Sequence, residues 1–249
     1  MLEYILLFFI SLLANAFSAF AGGGAGLLQL PALIFLGLPF SVALATHKLA
    51  SVALGIGASA RHFREKNLEG QFALIMLLAG VPGVILGASV ILNVPDRWAE
   101  LALGILTMSL GLYSWGSPAL GQVDTRTHRD RRGLVIGGAV LFGIGFLNGS
   151  LTSGTGLFVT LWLIRWFGLD YRRAVAHTLV MVGLFWNGSG ALTLGLLGSI
   201  RWDWLPVLLL GSLLGGYIGA HYSIIKGNRT IKRAFEFVTV LVGLKLIVG

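Results

Sequence analysis

The sequence predicts an all-α integral membrane protein. It is built from two inverted-topology repeats of about five hydrophobic segments each, giving eight to ten helices, with broken or re-entrant helices at the repeat breaks and both termini outside the cytoplasm. Three observations carry that expectation: apolar runs of spanning length from end to end, an internal duplication at a nearly constant offset, and a one-sided distribution of basic residues. Only 11% of the residues are charged and the mean hydropathy is +0.86, whereas a soluble domain carries roughly 25% charged residues.

Ten apolar segments can be read along the chain. They run near 3–21, 24–37, 41–60, 70–92 and 97–115 in the first half, and near 134–152, 154–167, 173–195, 203–224 and 231–249 in the second. The second segment of each half is short and follows a glycine-rich break, so it either crosses or enters and returns. The longest polar stretch, Gly116 to Gly133, separates the halves. The expected division is therefore a first repeat over 1–116, a cytoplasmic connecting loop over 117–133 and a second repeat over 134–249.

The halves match in order. Gly37-Leu38 with Ala43 and Ala45 recurs as Gly168-Leu169 with Ala174 and Ala176, 131 positions on. Gly83, Gly87 and Ala88 recur as Gly215, Gly219 and Ala220, and Gly111-Leu112 as Gly243-Leu244, both at an offset of 132. Each match is weak alone; the ordered set indicates duplication.

Charge then relates the repeats. If each half crosses the membrane an odd number of times, loops 61–69, 116–133, 165–173 and 224–233 share one side and hold fourteen of the eighteen basic residues. An even number divides the basic loop residues eight to eight. The strong bias belongs to the odd count, which makes the repeats inverted. The same clustering explains the net charge of +8 as cytoplasmic loops rather than a nucleic-acid surface. Cysteine is absent, which excludes disulfides, thiolate metal sites and cysteine nucleophiles. Met1-Leu2-Glu3-Tyr4 lacks the positive region of a cleaved signal peptide and reads as the start of the first helix.

The two breaks are the first candidate site. Ala21 to Gly26 holds Gly23, Gly24 and Gly26; its counterpart, Asn148 to Gly156, adds the side chains of Asn148, Ser150, Thr152, Ser153 and Thr155. A helix restarting after such a break points amide N–H groups and its positive dipole end into the protein, which suits an anion. By contrast, Gly83, Gly87, Gly211, Gly215 and Gly219, spaced by four, read as helix packing. The second constellation is Thr46-His47-Lys48, matched by His177-Thr178. Lys48 is the basic residue set deepest in an apolar segment, with no acid near it in sequence, and an intramembrane cation either pairs, snorkels or serves a function. His47 and His177 could bind substrate or take up a proton. Gln29, Asn187 and His221 are further polar residues with weaker cases. No metal site and no cofactor are expected.

The run Ala21–Gly26 followed by Pro31, Gly37 and Ala43-x-Ala45-Thr46 resembles the first repeat of the TauE/SafE family. Gly143 to Gly156 followed by Gly168 and Ala174-x-Ala176-His177-Thr178 resembles its second. The resemblance covers nearly the whole chain. It implies a multi-pass permease of the bacterial or archaeal cytoplasmic (inner) membrane for sulfite, sulfoacetate or a related organosulfonate. The expected protein is a secondary transporter with alternating access, its partners a small organic or inorganic anion, membrane lipid and a coupling proton, with homo-oligomerisation left open. The alternatives are a passive anion channel and an intramembrane serine hydrolase using Ser150 or Ser189 with His177 or His47.

Overall fold

A computed structural model describes residues 2–62, 68–91, 96–151 and 154–248. Every regular element among them is helical. Helix α1 (Leu2–Ala21) ends at three glycines, Gly22, Gly23 and Gly24, with φ of 91°, 140° and 103°, a region that side chains disfavour. A 3₁₀ turn (Ala25–Leu27) leads to the short α2 (Gln29–Phe35), and then to α3 (Phe40–His62). Helices α4 (Gly70–Val90) and α5 (Asp96–Trp115) complete the first half.

The second half begins with α6 (Arg131–Leu151), breaks at Gly154 (φ 74°) and resumes as α7 (Thr155–Phe167), which stops at Gly168 (φ 73°). Helix α8 (Tyr171–Leu197) follows. The last helical stretch, Leu205–Val248, is broken at Gly227 (φ 74°, ψ 176°) into α9 (205–226) and α10 (228–248). Each half thus runs long helix, glycine break, short helix and three long helices.

Among the described residues, six helical stretches are long and apolar enough to cross a membrane: Leu2–Ala21, Phe40–His62, Gly70–Val90, Arg131–Leu151, Tyr171–Leu197 and Leu205–Lys245. The last covers 41 residues, about 60 Å at 1.5 Å per residue, or roughly two bilayer cores, which accords with its interruption at Gly227. Helix α7 has 13 residues, about 20 Å of length, too short to cross a core of about 30 Å alone. It is a half-helix whose N-terminus lies inside the protein.

Small residues set the helix spacing. Gly211, Gly215 and Gly219 of α9 lie against the backbone of Phe8, Leu12 and Ala16 in α1. Gly83 and Gly87 of α4 meet the carbonyls of Phe142 and Phe146 in α6, and Gly145 and Gly149 of α6 answer against Gly80 and Val84. These are the spaced-by-four glycines, and they serve close helix approach. Two helices carry π-turns, Met76–Gly80 in α4 and Thr178–Trp186 in α8. The two are joined: buried Trp186 donates from Nε1 to Met76 O at 2.9 Å, and its ring covers Gly80.

At the end rich in basic loops, a four-membered ion-pair ring ties the connecting loop to both halves. Arg129 donates to Glu69 (2.9 Å) and Asp124 (3.0 Å), and Arg173 to the same two acids at 3.1 and 2.8 Å. The Arg129 guanidinium also lies 4.9 Å from the Phe72 ring centre.

The glycine packing gives a paired prediction. Gly83→Leu places a side chain on the Phe142 carbonyl and is expected to cost at least about 1–3 kcal/mol, the usual range for overpacking. At Gly143 a Cβ would meet nothing within 4 Å, so Gly143→Ala should be neutral or stabilising by up to about 1 kcal/mol. Thermal unfolding of the two variants in detergent checks both.

Candidate functional site

The two glycine breaks meet at the centre of the molecule. A Cβ on Gly23 would come within 2.6 Å of the Gly156 carbonyl carbon, so only glycine allows this approach. Thr160 of α7 donates to the Gly22 carbonyl at 2.6 Å and contacts the Thr178 hydroxyl at 2.8 Å. The carbonyl exposed by the end of α1 is therefore satisfied by a side chain of the other half, as buried backbone requires.

Beside this crossing lies a cavity of about 40 Å³. Its wall includes Gly23, Gly24 and Gly26 from the first break, Asn148, Thr155 and Gly156 from the second, His47 and Ser51 from α3, and Thr178 and Asn187 from α8. Among the described residues, no acidic one is in its lining. The π-turn of α8 spans Thr178–Trp186, so the helix presents Thr178, Leu179, Val182, Gly183 and Asn187 together. The Asn187 Oδ1 is buried without a hydrogen-bond partner, a polar atom held ready toward a wet or ligand-filled space.

Lys48 stands one layer behind. It is fully buried, so it does not snorkel, and its Nζ donates to Asn148 O (2.7 Å) and Asn148 Oδ1 (3.1 Å). Asn148 Nδ2 in turn donates to Thr155 Oγ1 at 2.8 Å. Asn148 sits in the last turn of α6, where helix carbonyls concentrate negative potential. The ammonium thus neutralises the C-terminal end of α6 where it faces the N-terminal end of α7.

His47 belongs to a buried polar chain. Its Nδ1 lies 3.0 Å from Gln29 Oε1 and its Nε2 3.3 Å from Ser51 Oγ. Gln29 Oε1 also accepts from Asn15 Nδ2 (3.2 Å), and Gln29 Nε2 donates to Ser11 Oγ (3.2 Å). Asn15 and Ser11 meet Ser212 of α9 at 3.0 Å each. Since Gln29 Oε1 can only accept, this network assigns the neutral imidazole proton to Nδ1 and leaves Nε2 an acceptor.

Among the residues the sequence pointed to, Gly23, Gly24, Gly26, His47, Asn148, Thr155 and Thr178 share this cavity, with Lys48 behind it. Three lie elsewhere. Thr46 donates to Val42 O and accepts from the Arg201 amide of the α8–α9 loop. Ser150 bonds back to Phe146 O at 3.0 Å within its own helix. His177 accepts from the Glu69 amide at 2.8 Å, beneath the ion-pair ring, with its Nδ1 2.8 Å from Arg173 O. The sequence groups His177 with His47 as a candidate for substrate or proton, but its hydrogen bonds fasten it to the α3–α4 loop. Thr152 and Ser153 lie outside the described residues. Ser11, Asn15, Ser18, Ser51 and Ser212 escaped the sequence reading. Ser11, Asn15 and Ser18 on α1, like His47 and Ser51 on α3, recur at helical spacing, a signal that could have found them.

A helical membrane protein whose half-helix and glycine break converge on a buried, acid-free polar cavity has the build of a membrane transporter. The chain belongs to the sulfite exporter TauE/SafE family, whose profile matches residues 7–246. It is similar to a probable membrane transporter protein of Haemophilus influenzae, 29% identical, with 97% of this chain and 93% of that one aligned. It is also similar to the probable membrane transporter protein YfcA of Escherichia coli, 30% identical over 97% of this chain and 88% of that one. A third such protein, YunE of Bacillus subtilis, is 24% identical over 99% and 98%. No solved structure matches. The chain is a multi-pass protein of the cytoplasmic membrane.

The polar chain predicts its own test. Gln29→Leu removes the partner of His47 Nδ1, while Asn15 Nδ2 keeps Ser11 O and Ser212 Oγ, and is expected to cost about 1–3 kcal/mol for the one buried group left unmade. The loss would be read as a lowered unfolding temperature.

Proposed function

We propose that this protein is a secondary transporter of a small sulfur-containing anion (sulfite, sulfoacetate or a related organosulfonate) that alternates access between two inverted repeats. The observation that carries the reading is the cavity at the crossing of the breaks. It brings the first turn of α7 and the backbone of the first break onto one space, with the negative end of α6 cancelled by Lys48 and no carboxylate among the described residues of the wall. Such a space attracts an anion through helix dipole and amide donors.

The charge of Lys48 acts through Asn148. Without it, an anion drawn to α7 would meet the carbonyl end of α6. The cavity, about 40 Å³ with room for a few waters, is walled almost wholly by buried residues, so exchange of its contents with either side calls for helices to part. That burial favours alternating access over a standing pore. In this arrangement His47 is the group that takes up the coupling proton: it lines the cavity with Ser51, whose Oγ lies 3.3 Å from its Nε2. The inverted arrangement of the halves is supported by the charge bias of the loops and by the shared order of long helix, break and short helix.

A hydrolase finds less support. Ser150 and Ser189 both donate to carbonyls of their own helices, so neither is set against a histidine as an activated nucleophile would be.

Proteoliposomes loaded with or without a pH gradient test the reading with radiolabelled sulfite, sulfoacetate and sulfate. Saturable, gradient-driven accumulation of one of them is expected, and no flux of any would overturn it. Lys48→Met should raise the apparent KM about tenfold or more, the scale of a partly buried helix-end charge, with Lys48→Arg recovering part. His47→Gln should keep anion exchange at equal pH and lose accumulation driven by the pH gradient; unchanged accumulation would remove His47 from coupling.

A further inference from the structure

A second cavity lies away from the transport site, at the end of the molecule rich in basic loops. Its volume is about 410 Å³, ten times that of the central one. It is walled by Tyr113 at the end of α5, the turn from Ser117 to Gly121, Val123, Thr125, Thr127 and His128 of the connecting loop, and the last turn of α7 with Arg165.

The walls are preformed. The Thr125 amide donates to Gly168 O (2.8 Å), the Thr127 amide to Phe167 O (3.2 Å) and the Tyr171 amide to Gly121 O (2.8 Å), which fastens the connecting loop along the end of α7. Fastening it there holds Arg126 and His128 at φ of 50° and 47°, values side-chain-bearing residues adopt only when their surroundings impose them. His128 stacks on Trp166 at 4.1 Å, and Trp166 on Trp162 at 5.2 Å. This wall is rigid on one side and open on the other.

Its chemistry is that of a phosphate pocket beside a greasy surface. Arg165 is exposed and makes no ion pair among the described residues, and the same holds for Arg126 on the adjoining loop and for Arg131 and Arg132 at the start of α6. The nearby acid Asp124 is taken up by Arg129 and Arg173. Among the described residues the lining holds no carboxylate, and Ser117 and Tyr113 offer hydroxyls. Next to the cavity, Leu112, Trp115 and Val123 are exposed at 51%, 69% and 70%. An aromatic residue at the end of a membrane helix marks the headgroup level, and a basic pocket between helices on that face suits an anionic headgroup.

We infer that this cavity binds the headgroup phosphate of an anionic phospholipid, held by Arg165 with the hydroxyls of Ser117 and Tyr113, while the acyl chains lie along the exposed apolar face of α5. The apolar face is what selects a lipid over a soluble phosphate: free phosphate could use the arginine but not Leu112 and Trp115.

Native mass spectrometry of the full chain released from detergent tests this, with phosphatidylglycerol, phosphatidylcholine and inorganic phosphate added in turn. The expected result is one retained phosphatidylglycerol, about tenfold preferred over phosphatidylcholine, with retention cut about tenfold by Arg165→Gln and little changed by Arg131→Gln, whose position is outside the lining. Equal loss in both variants would reduce the effect to general charge attraction and overturn the site. Inorganic phosphate displacing the lipid at comparable concentration would overturn the lipid assignment. Arg165 contacts nothing in the transport cavity, so Arg165→Gln should still exchange anion, which keeps this outcome separate from that of the transport reading.

Discussion

The contact on which the rest depends is the crossing of two backbones at Gly23 and Gly156. Gly23 does not tolerate a Cβ facing the other segment, at Gly156 a Cβ would press on Gly23 Cα at 3.1 Å, and both stand where a helix has stopped or restarted inside apolar surroundings. An interrupted helix in that environment leaves amides and carbonyls that water cannot reach. Here they are answered across the crossing: Thr160 for the carbonyl of Gly22, and Lys48 for the carbonyl of Asn148. The cavity is what remains after these have been met, and its polarity is the polarity of helix ends.

That origin explains the division of labour among side chains. Lys48 does not need to touch a ligand to matter; it removes the field of the α6 C-terminus so that the α7 N-terminus prevails. Asn148 is the joint between them, accepting from the lysine and donating to Thr155. His47 is oriented by the Gln29 amide of α2 and by Ser51 one turn along α3, and Gln29 is held in turn by Asn15 and Ser11 of α1.

Much of the architecture was legible in the chain. Helix ends fell near the apolar segment ends because glycine runs at Gly22 and Gly154 and single glycines at Gly37 and Gly168 stop helices by backbone geometry, a local property. The packing glycines were legible by spacing for the same reason. The site was less so. At the offset of 131 Thr46 corresponds to His177 and His47 to Thr178; the second pair faces the cavity while the first turns to loops, so equivalence of position did not make the two histidines partners. The π-turn that opens after His177 changes which side chains of α8 share a face, and nothing in Thr178–Trp186 announces such a turn. The network of Ser11, Asn15 and Ser212 was hidden because each is an unremarkable polar residue alone. Their meeting depends on α1 lying against α9, a pairing of segments from opposite ends of the chain.

That last pairing has a consequence for how the molecule is made. Asn15 and Ser212 are 197 residues apart, and at about 5–20 residues per second a ribosome takes roughly 10–40 s to bridge them. During that interval α1 sits in the bilayer with its asparagine and serine unanswered by the helix that will finally receive them. Gln29 and His47 arrive sooner and can hold the asparagine in the meantime. The last helices therefore do more than add to a finished bundle: they relieve a polar face that the first helix has carried since it was inserted, and assembly of the N-terminal half is complete only when the C-terminal half has been synthesised.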